Sequence, residues 1–272
     1  MNEIDFFDKT ALINELESNL WEYWSNFGRG PGCALHDEGD TLWFETPIPI
    51  LPYNGILRFQ AEKNIDQKID KLINQFNDRQ VAYFWLVHPT SLPLDLPNRL
   101  IKLSLQEIEI LPGMTRKLEN LPECPQLPDD IEIRKAIDEN DLSALYDFSA
   151  WRWNVPTEYK RTLATILSTL EFGKPNSKAH LWQAWRKGQP IAKAGMYLGS
   201  KSAGIYAVST KPEARGLGLA RYLTLTALKE AQTLGKTLAV LHSTPMAQSL
   251  YRSIGFETIA DFRLFASVVG HI

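Results

Sequence analysis

At 272 residues, 44% hydrophobic and 22% charged, the chain holds apolar material for one large or two medium cores, which excludes an intrinsically disordered protein. A net charge of −3 with no basic tract argues against nucleic acid as an obligatory partner. There is no run of about eighteen apolar residues for a membrane span. The acidic start Met1-Asn2-Glu3-Ile4-Asp5 does not read as a signal peptide. A cytoplasmic protein without a membrane partner is expected. Cys33 and Cys124 read as reduced thiols, and the five scattered histidines lack ligand-spaced partners, so no metal is expected.

In chain order, Leu12, Leu16 and Leu20, with Ile13 and Trp24, place an apolar stripe on a helix. Strands are predicted at 33–36 and 41–45, joined by Asp37-Glu38-Gly39-Asp40, and at 55–60 after the proline-rich 47–52. Asn64 and Gln67 read as a capping pair for a helix that turns Ile65, Ile69, Leu72, Ile73 and Phe76 inward. Residues 81–87 form a continuous apolar strand of the kind buried on both faces. A further helix and a strand through 108–111 complete this half.

Pro122, Pro125 and Pro128 mark an extended linker. It divides the chain into an accessory or degenerate α/β domain, 1–122, and a second domain, 127–272. A strand at 131–136 follows, then a helix capped by Asp141 that carries Leu145 and Phe148, and a helix over 159–170. Strands at 179–185, 190–198 and 204–210 precede a helix at 221–234, a strand at 237–242, a helix carrying Leu250-Tyr251 and a last strand at 262–269. The fold class is α/β (α+β): a mixed, mostly antiparallel sheet flanked by helices.

The run Lys211-Pro212-Glu213-Ala214-Arg215-Gly216-Leu217-Gly218-Leu219-Ala220 joins a buried strand to a helix. The first N–H groups of a helix lack intrahelical partners, and the helix dipole favours negative charge there. Gly216 and Gly218 let the main chain approach a phosphate closely. The ligand is thus read as a phosphorylated cofactor. No Gly-Lys-Ser/Thr closes the loop, which excludes a P-loop. The strand that follows ends in His242-Ser243-Thr244 without the carboxylate of a dinucleotide fold.

Arg215, Gly218 and Ala220 occupy the three fixed places of the Gln/Arg-x-x-Gly-x-Gly/Ala signature, and the helix with Leu250-Tyr251 ends in Gly255-Phe256. In these motifs and in its element order, 127–272 resembles the GNAT (GCN5-related) N-acetyltransferases. The resemblance implies a GNAT fold and acetyl-CoA as co-substrate. It implies acetyl transfer to a primary amine of a small molecule or peptide by direct attack through a tetrahedral intermediate. Main-chain groups of Val208, Ser209 and Thr210 would hold the pantetheine and the thioester carbonyl. Arg215 and the N–H groups of Gly216, Leu217, Gly218, Leu219, Ala220 and Arg221 would grip the pyrophosphate. Ser243 and Thr244 stand where the family often has an asparagine, and Tyr251 stands in the place of its general acid. The first half looks like a second copy of the fold, giving tandem GNAT-like domains. Its strand-to-helix connection, Ala61-Glu62-Lys63-Asn64, has no glycine, and Glu62 would repel phosphate.

The general base stays open among His242, Glu158, Glu171 and a water relay, since 203–210 holds no Asp, Glu or His. Trp151 and Trp153 either bracket an acceptor or seal an interface. A homodimer is left open. Two other classes compete: a non-catalytic acyl-CoA-binding or regulatory protein, and a nucleotide-binding domain using the same glycines.

Overall fold

Period-two runs of apolar residues become strands and period-3.6 runs become helices in the computed structural model, which describes residues 6 and 8–267. In chain order the elements are α1 (Lys9–Ser25), β1 (Ala34–Asp37), β2 (Thr41–Glu45), β3 (Gly55–Phe59), α2 (Ile65–Asp78), β4 (Phe84–Val87), α3 (Leu96–Lys102) and β5 (Gln106–Lys117). There follow β6 (Ile131–Lys135), α4 (Glu139–Arg152), α5 (Lys160–Ser168), β7 (Ala179–Arg186), β8 (Gln189–Leu198) and β9 (Ser202–Thr210). The remainder are α6 (Leu219–Thr233), β10 (Leu238–His242), α7 (Gln248–Ile254) and β11 (Glu257–Ala266). Residues 1–5, whose composition argued against a signal peptide, lie outside the described residues.

Two compact units form, and neither is a single stretch of chain. Unit one comprises Met1–Tyr23, Pro112–Asn154 and Leu170–Ala260; unit two comprises Trp24–Leu111, Val155–Thr169 and Asp261–Ile272. In unit one the strand order is β5-β10-β9-β8-β7-β6. β10 runs antiparallel to β5, from Leu238↔Lys117 to His242↔Gly113, and parallel to β9. The pairs β9–β8, β8–β7 and β7–β6 are antiparallel. In unit two the order is β1-β2-β3-β4-β11, with β3 and β4 parallel and the other pairs antiparallel.

One face of the unit-one sheet is closed by α6 and α7. Leu219, Leu223, Ala227, Leu228, Ile254 and Phe256 bury against Ala192, Ala194, Met196 and Ile205. On the other face, α1 seats a polar side chain against the sheet. Asn19 Nδ2 donates to Ser202 O at 3.1 Å, Tyr206 Oη donates to Asn19 Oδ1 at 2.8 Å, and Tyr23 stacks on Tyr206 with centroids 3.9 Å apart. A Cβ at Gly204 would collide with Asn19 and Tyr206, so this close approach requires glycine. In unit two, Phe59, Phe76, Trp85, Leu96 and Phe265 belong to one core.

Several expectations are corrected. The last strand runs over Glu257–Ala266, and its Arg263–Ala266 pairs with Phe84–Val87 of unit two; 268 and 269 lie outside the described residues. The strand read as ending at 111 continues to Lys117. Pro112 does not break it, because its carbonyl accepts the Ser243 N–H at 2.9 Å. Residues 121–128 form no regular element, yet Leu121, Cys124 and Leu127 pack on the unit-one core. Asp138, rather than Asp141, caps α4 by accepting the Asp141 N–H at 2.9 Å. Asn64 makes no side-chain cap and precedes α2 in the left-handed region, at φ 54°.

Candidate active site

β9 lies between β8 and β10 but stays paired to both for only part of its length. The β10 ladder stops at Ile205↔Leu241. On the β8 side the register shifts between Gly195↔Tyr206 and Lys193↔Ser209. One extra β9 residue is accommodated there, with Ala207 at φ 54°. The strand therefore bends away from β10. Ala207 is exposed and Val208, Ser209 and Thr210 are half-buried, although the strand is an inner one. Past Ile205 their edge offers main-chain donors and acceptors beyond the end of the β10 ladder.

The open edge leads into the loop. Lys211 N–H donates to Ile191 O at 2.8 Å, and Ala214 turns into the core. Arg215, Gly216 and Gly218 are exposed, while Leu219 is buried and anchors the first turn of α6. Gly216 and Gly218 have φ 79° and 76°, a region that costs other residues about 1–2 kcal/mol. Gly218 is the residue before α6, and no side chain caps the helix. Tyr222 N–H returns to Gly218 O at 2.9 Å, leaving the N–H groups of Leu219, Ala220 and Arg221 without intrahelical acceptors. The Arg221 side chain is engaged elsewhere, donating to Ser253 O at 3.0 Å and Ser253 Oγ at 2.8 Å. Only its main chain faces this role.

Tyr251 sits on α7, buried and edge-on to Phe256 at 5.9 Å. Burial raises its phenol, which stays protonated at neutral pH. Ser243 is buried, its N–H is taken by Pro112 O, and its hydroxyl donates to Thr244 O at 2.7 Å. Its hydrogen bonds therefore serve the fold, and Thr244 is the half-buried member of the pair. The ring nitrogens of His242 are shielded from solvent, and burial lowers its pKa to about 3, far too weak a base for an ammonium proton. Glu171 is exposed and paired with Lys174 at 3.1 Å; Glu158 lies in unit two.

On the α4 face of unit one, a cleft of about 460 Å³ is lined by Asp147, Phe148, Trp151, Trp185, Gln189 and Lys211 among others. Trp151 and Trp153 are 45% and 40% exposed. Lys211 Nζ lies 5.9 Å from the Trp151 ring, and Arg152 lies over Trp153 at 4.5 Å. Of the two tryptophans, only Trp151 lines the cleft.

Beside it lies a residue that the motifs miss. Lys193 of β8 is buried, and its Nζ donates to Ser149 Oγ of α4 at 2.6 Å. Its signal in the sequence is a lone cation within Ile191-Ala192-Lys193-Ala194-Gly195. Among the described residues no group of His, Cys, Asp and Glu is placed to hold a metal ion, and no helix is long and apolar enough to cross a membrane.

The candidate site is thus an open strand edge that runs into an uncapped helix start. Residues 142–256 match the model of the acetyltransferase (GNAT) family. The whole chain shares its fold with a GCN5-related N-acetyltransferase from Kribbella flavida (TM-score 0.68, 14% identity, covering 96% of each chain). A tandem GNAT protein from the clavulanic acid biosynthesis pathway aligns at TM-score 0.61 and 10% identity, over 95% of this chain and 96% of that one. A GCN5-related N-acetyltransferase from Sphaerobacter thermophilus aligns at 0.63 and 14%, over 87% and 84%. No curated protein matches the sequence.

Proposed function

We propose that the protein is an acetyl-CoA-dependent N-acetyltransferase whose active site lies in unit one. The observation that carries this reading is the continuity of the unladdered edge at Val208–Thr210 with the exposed start of α6. An extended pantetheine would take the place that β10 vacates, hydrogen-bonded by Val208, Ser209 and Thr210. Its pyrophosphate would meet Arg215 and the N–H groups from Gly216 to Arg221. The same strand edge would donate to the thioester oxygen as it gains charge. Tyr251 would supply the proton for the departing thiolate, and Thr244 would steady the pantetheine. The acceptor would be a primary amine of a small molecule or peptide, attacking the thioester carbonyl directly through a tetrahedral intermediate. Two free thiols suit a cytoplasmic setting.

A second reading, a non-catalytic acyl-CoA-binding protein, draws on the weakness of His242 as a base. Calorimetric titration with acetyl-CoA, followed by an amine screen for CoA release, separates the readings. One site per chain with amine-dependent release is expected. Binding without release favours the second reading, and no binding removes both.

A further inference from the structure

Lys193 is the buried lysine of the described residues, 4% exposed, and no carboxylate among them pairs with it. It belongs to a row across the sheet. Lys193 stands opposite Gln183 on β7 and Ser209 on β9, and directly opposed residues in antiparallel strands share a face with Cβ atoms about 5 Å apart. Gln183 is fully buried, and neither its amide oxygen nor its nitrogen has a partner among the described residues. An unmet buried amide costs about 1–3 kcal/mol, and proteins commonly satisfy such groups with internal water. Gln183, Lys193, Ser149 and Ser209 supply the polar partners such water needs.

The charge that bears on the amine is the Arg152 guanidinium. From α4 come Ser149, the Phe148 ring at 5.5 Å and Arg152, with Asp147 lining the cleft one residue before Phe148. Lys211, just past β9, lies 5.8 Å from the same Phe148 ring. On β6, Arg134 stands opposite Gln183 and is held by Glu132 at 2.6 Å. Burial first, and then Arg152, pushes the Lys193 ammonium down to about 7.

We propose that Lys193 takes up the proton that the acceptor amine must shed before attack, through water held among Gln183, Ser149 and Ser209; this rests on the acetyltransferase reading above. Ser209, one strand away, belongs to the segment assigned to the thioester. The acceptor ammonium gives one proton through the water to the Lys193 lone pair. The freed nitrogen adds to the thioester carbonyl, forming the C–N bond of a tetrahedral intermediate, and the C–S bond breaks as that intermediate collapses. Tyr251 protonates the thiolate, and the second proton of the attacking nitrogen restores Tyr251. Lys193 then returns its proton to solvent. It acts at one remove and does not touch the substrate.

Two measurements on the full chain decide the matter, comparing wild type with Lys193→Met and Lys193→Arg. The first is the pH–rate profile of CoA release from acetyl-CoA with the most active of spermidine, tyramine, glucosamine and a lysine-containing peptide. Both variants should lose roughly 10²-fold in kcat/KM near pH 7, and the limb with apparent pKa near 7 should disappear. The second, independent of activity, is the thermal midpoint against pH. The unfolded chain keeps the lysine proton up to about 10.5, whereas the folded chain releases it near 7. Between these values the unfolded state binds more protons, so stability rises with pH across that window. Lys193→Met should remove this rise. A wild-type limb kept in Lys193→Met, or a thermal midpoint whose pH dependence matches that of Lys193→Met, overturns the proposal. A wild type that binds acetyl-CoA but turns over none of the amines overturns the enzyme reading and the proposal with it.

Discussion

Each unit has an inner strand that leaves its parallel neighbour and enters a helix through a left-handed residue. In unit one that residue is Gly218, at φ 76°, before α6; in unit two it is Asn64, at φ 54°, before α2. The strand orders around them follow the same plan, with β3 and β4 of unit two answering to β9 and β10 of unit one. The forks differ. In unit one nothing of the ladder continues past Ile205. In unit two the fork is filled by chain: Leu92 N–H donates to Phe59 O at 3.0 Å, Gln60 bridges to Leu92, and Gln60 Nε2 donates to Thr90 Oγ1 at 2.7 Å. Glu62 stands in the loop where unit one has glycines. A similar backbone path, therefore, does not by itself provide the features a phosphorylated ligand needs. What separates the units is whether the fork is open and what side chains line the turn.

That contrast can be broken from the unit-one side. Gly218→Glu places an anion in a left-handed position at the start of α6 and makes the turn resemble that of unit two. Acetyl-CoA binding by calorimetry should weaken by more than about 10²-fold. Retained affinity would make the loop only a turn. Next, Tyr251→Phe removes a hydroxyl that α3, the unit-two counterpart of α7, lacks altogether. Turnover should fall by roughly 10²-fold, with acetyl-CoA affinity barely changed. Unchanged turnover would take the tyrosine out of the mechanism. Arg215→Ala is smaller, an expected loss of about 1–3 kcal/mol in binding free energy. An unaltered dissociation constant would leave Arg215 on the solvent side. The smallest effect sharpens the shared backbone. In chemical denaturation, Gly218→Ala should cost about 1 kcal/mol, whereas Asn64→Gly should shift stability by only about a few tenths.

Local features were the legible ones. Gly216, Gly218 and the helix of Tyr251 announce themselves through spacing within a few residues, and almost every element appears near its expected bounds. Pairing between distant segments is not local, so the sequence does not tell which strand β10 or β4 will choose. Nor did it show that α1 would bury Asn19 beneath the sheet of unit one. The small residues that admit it, Gly199 and Gly204, lie about 180 positions away. Ser243 looked available because its strand-end position was visible and its partner Pro112 was not. Lys193 had a visible oddity, a cation among small apolar residues, but only the register with Gln183 and Ser209 gives it a context.

The composition of the units bears on how the chain folds as it is made. Unit two closes its sheet with β11, whose Arg263–Ala266 is synthesised after every other described strand and helix of that unit. Until it emerges, Phe84-Trp85-Leu86-Val87 has a partner along one side only, and such a bare apolar edge invites pairing with other chains. Unit one likewise holds α1 in waiting until Ser202 and Tyr206 exist to receive Asn19. The nascent chain thus passes through a long interval in which neither core is complete, and it is then that chaperones would have most to shield.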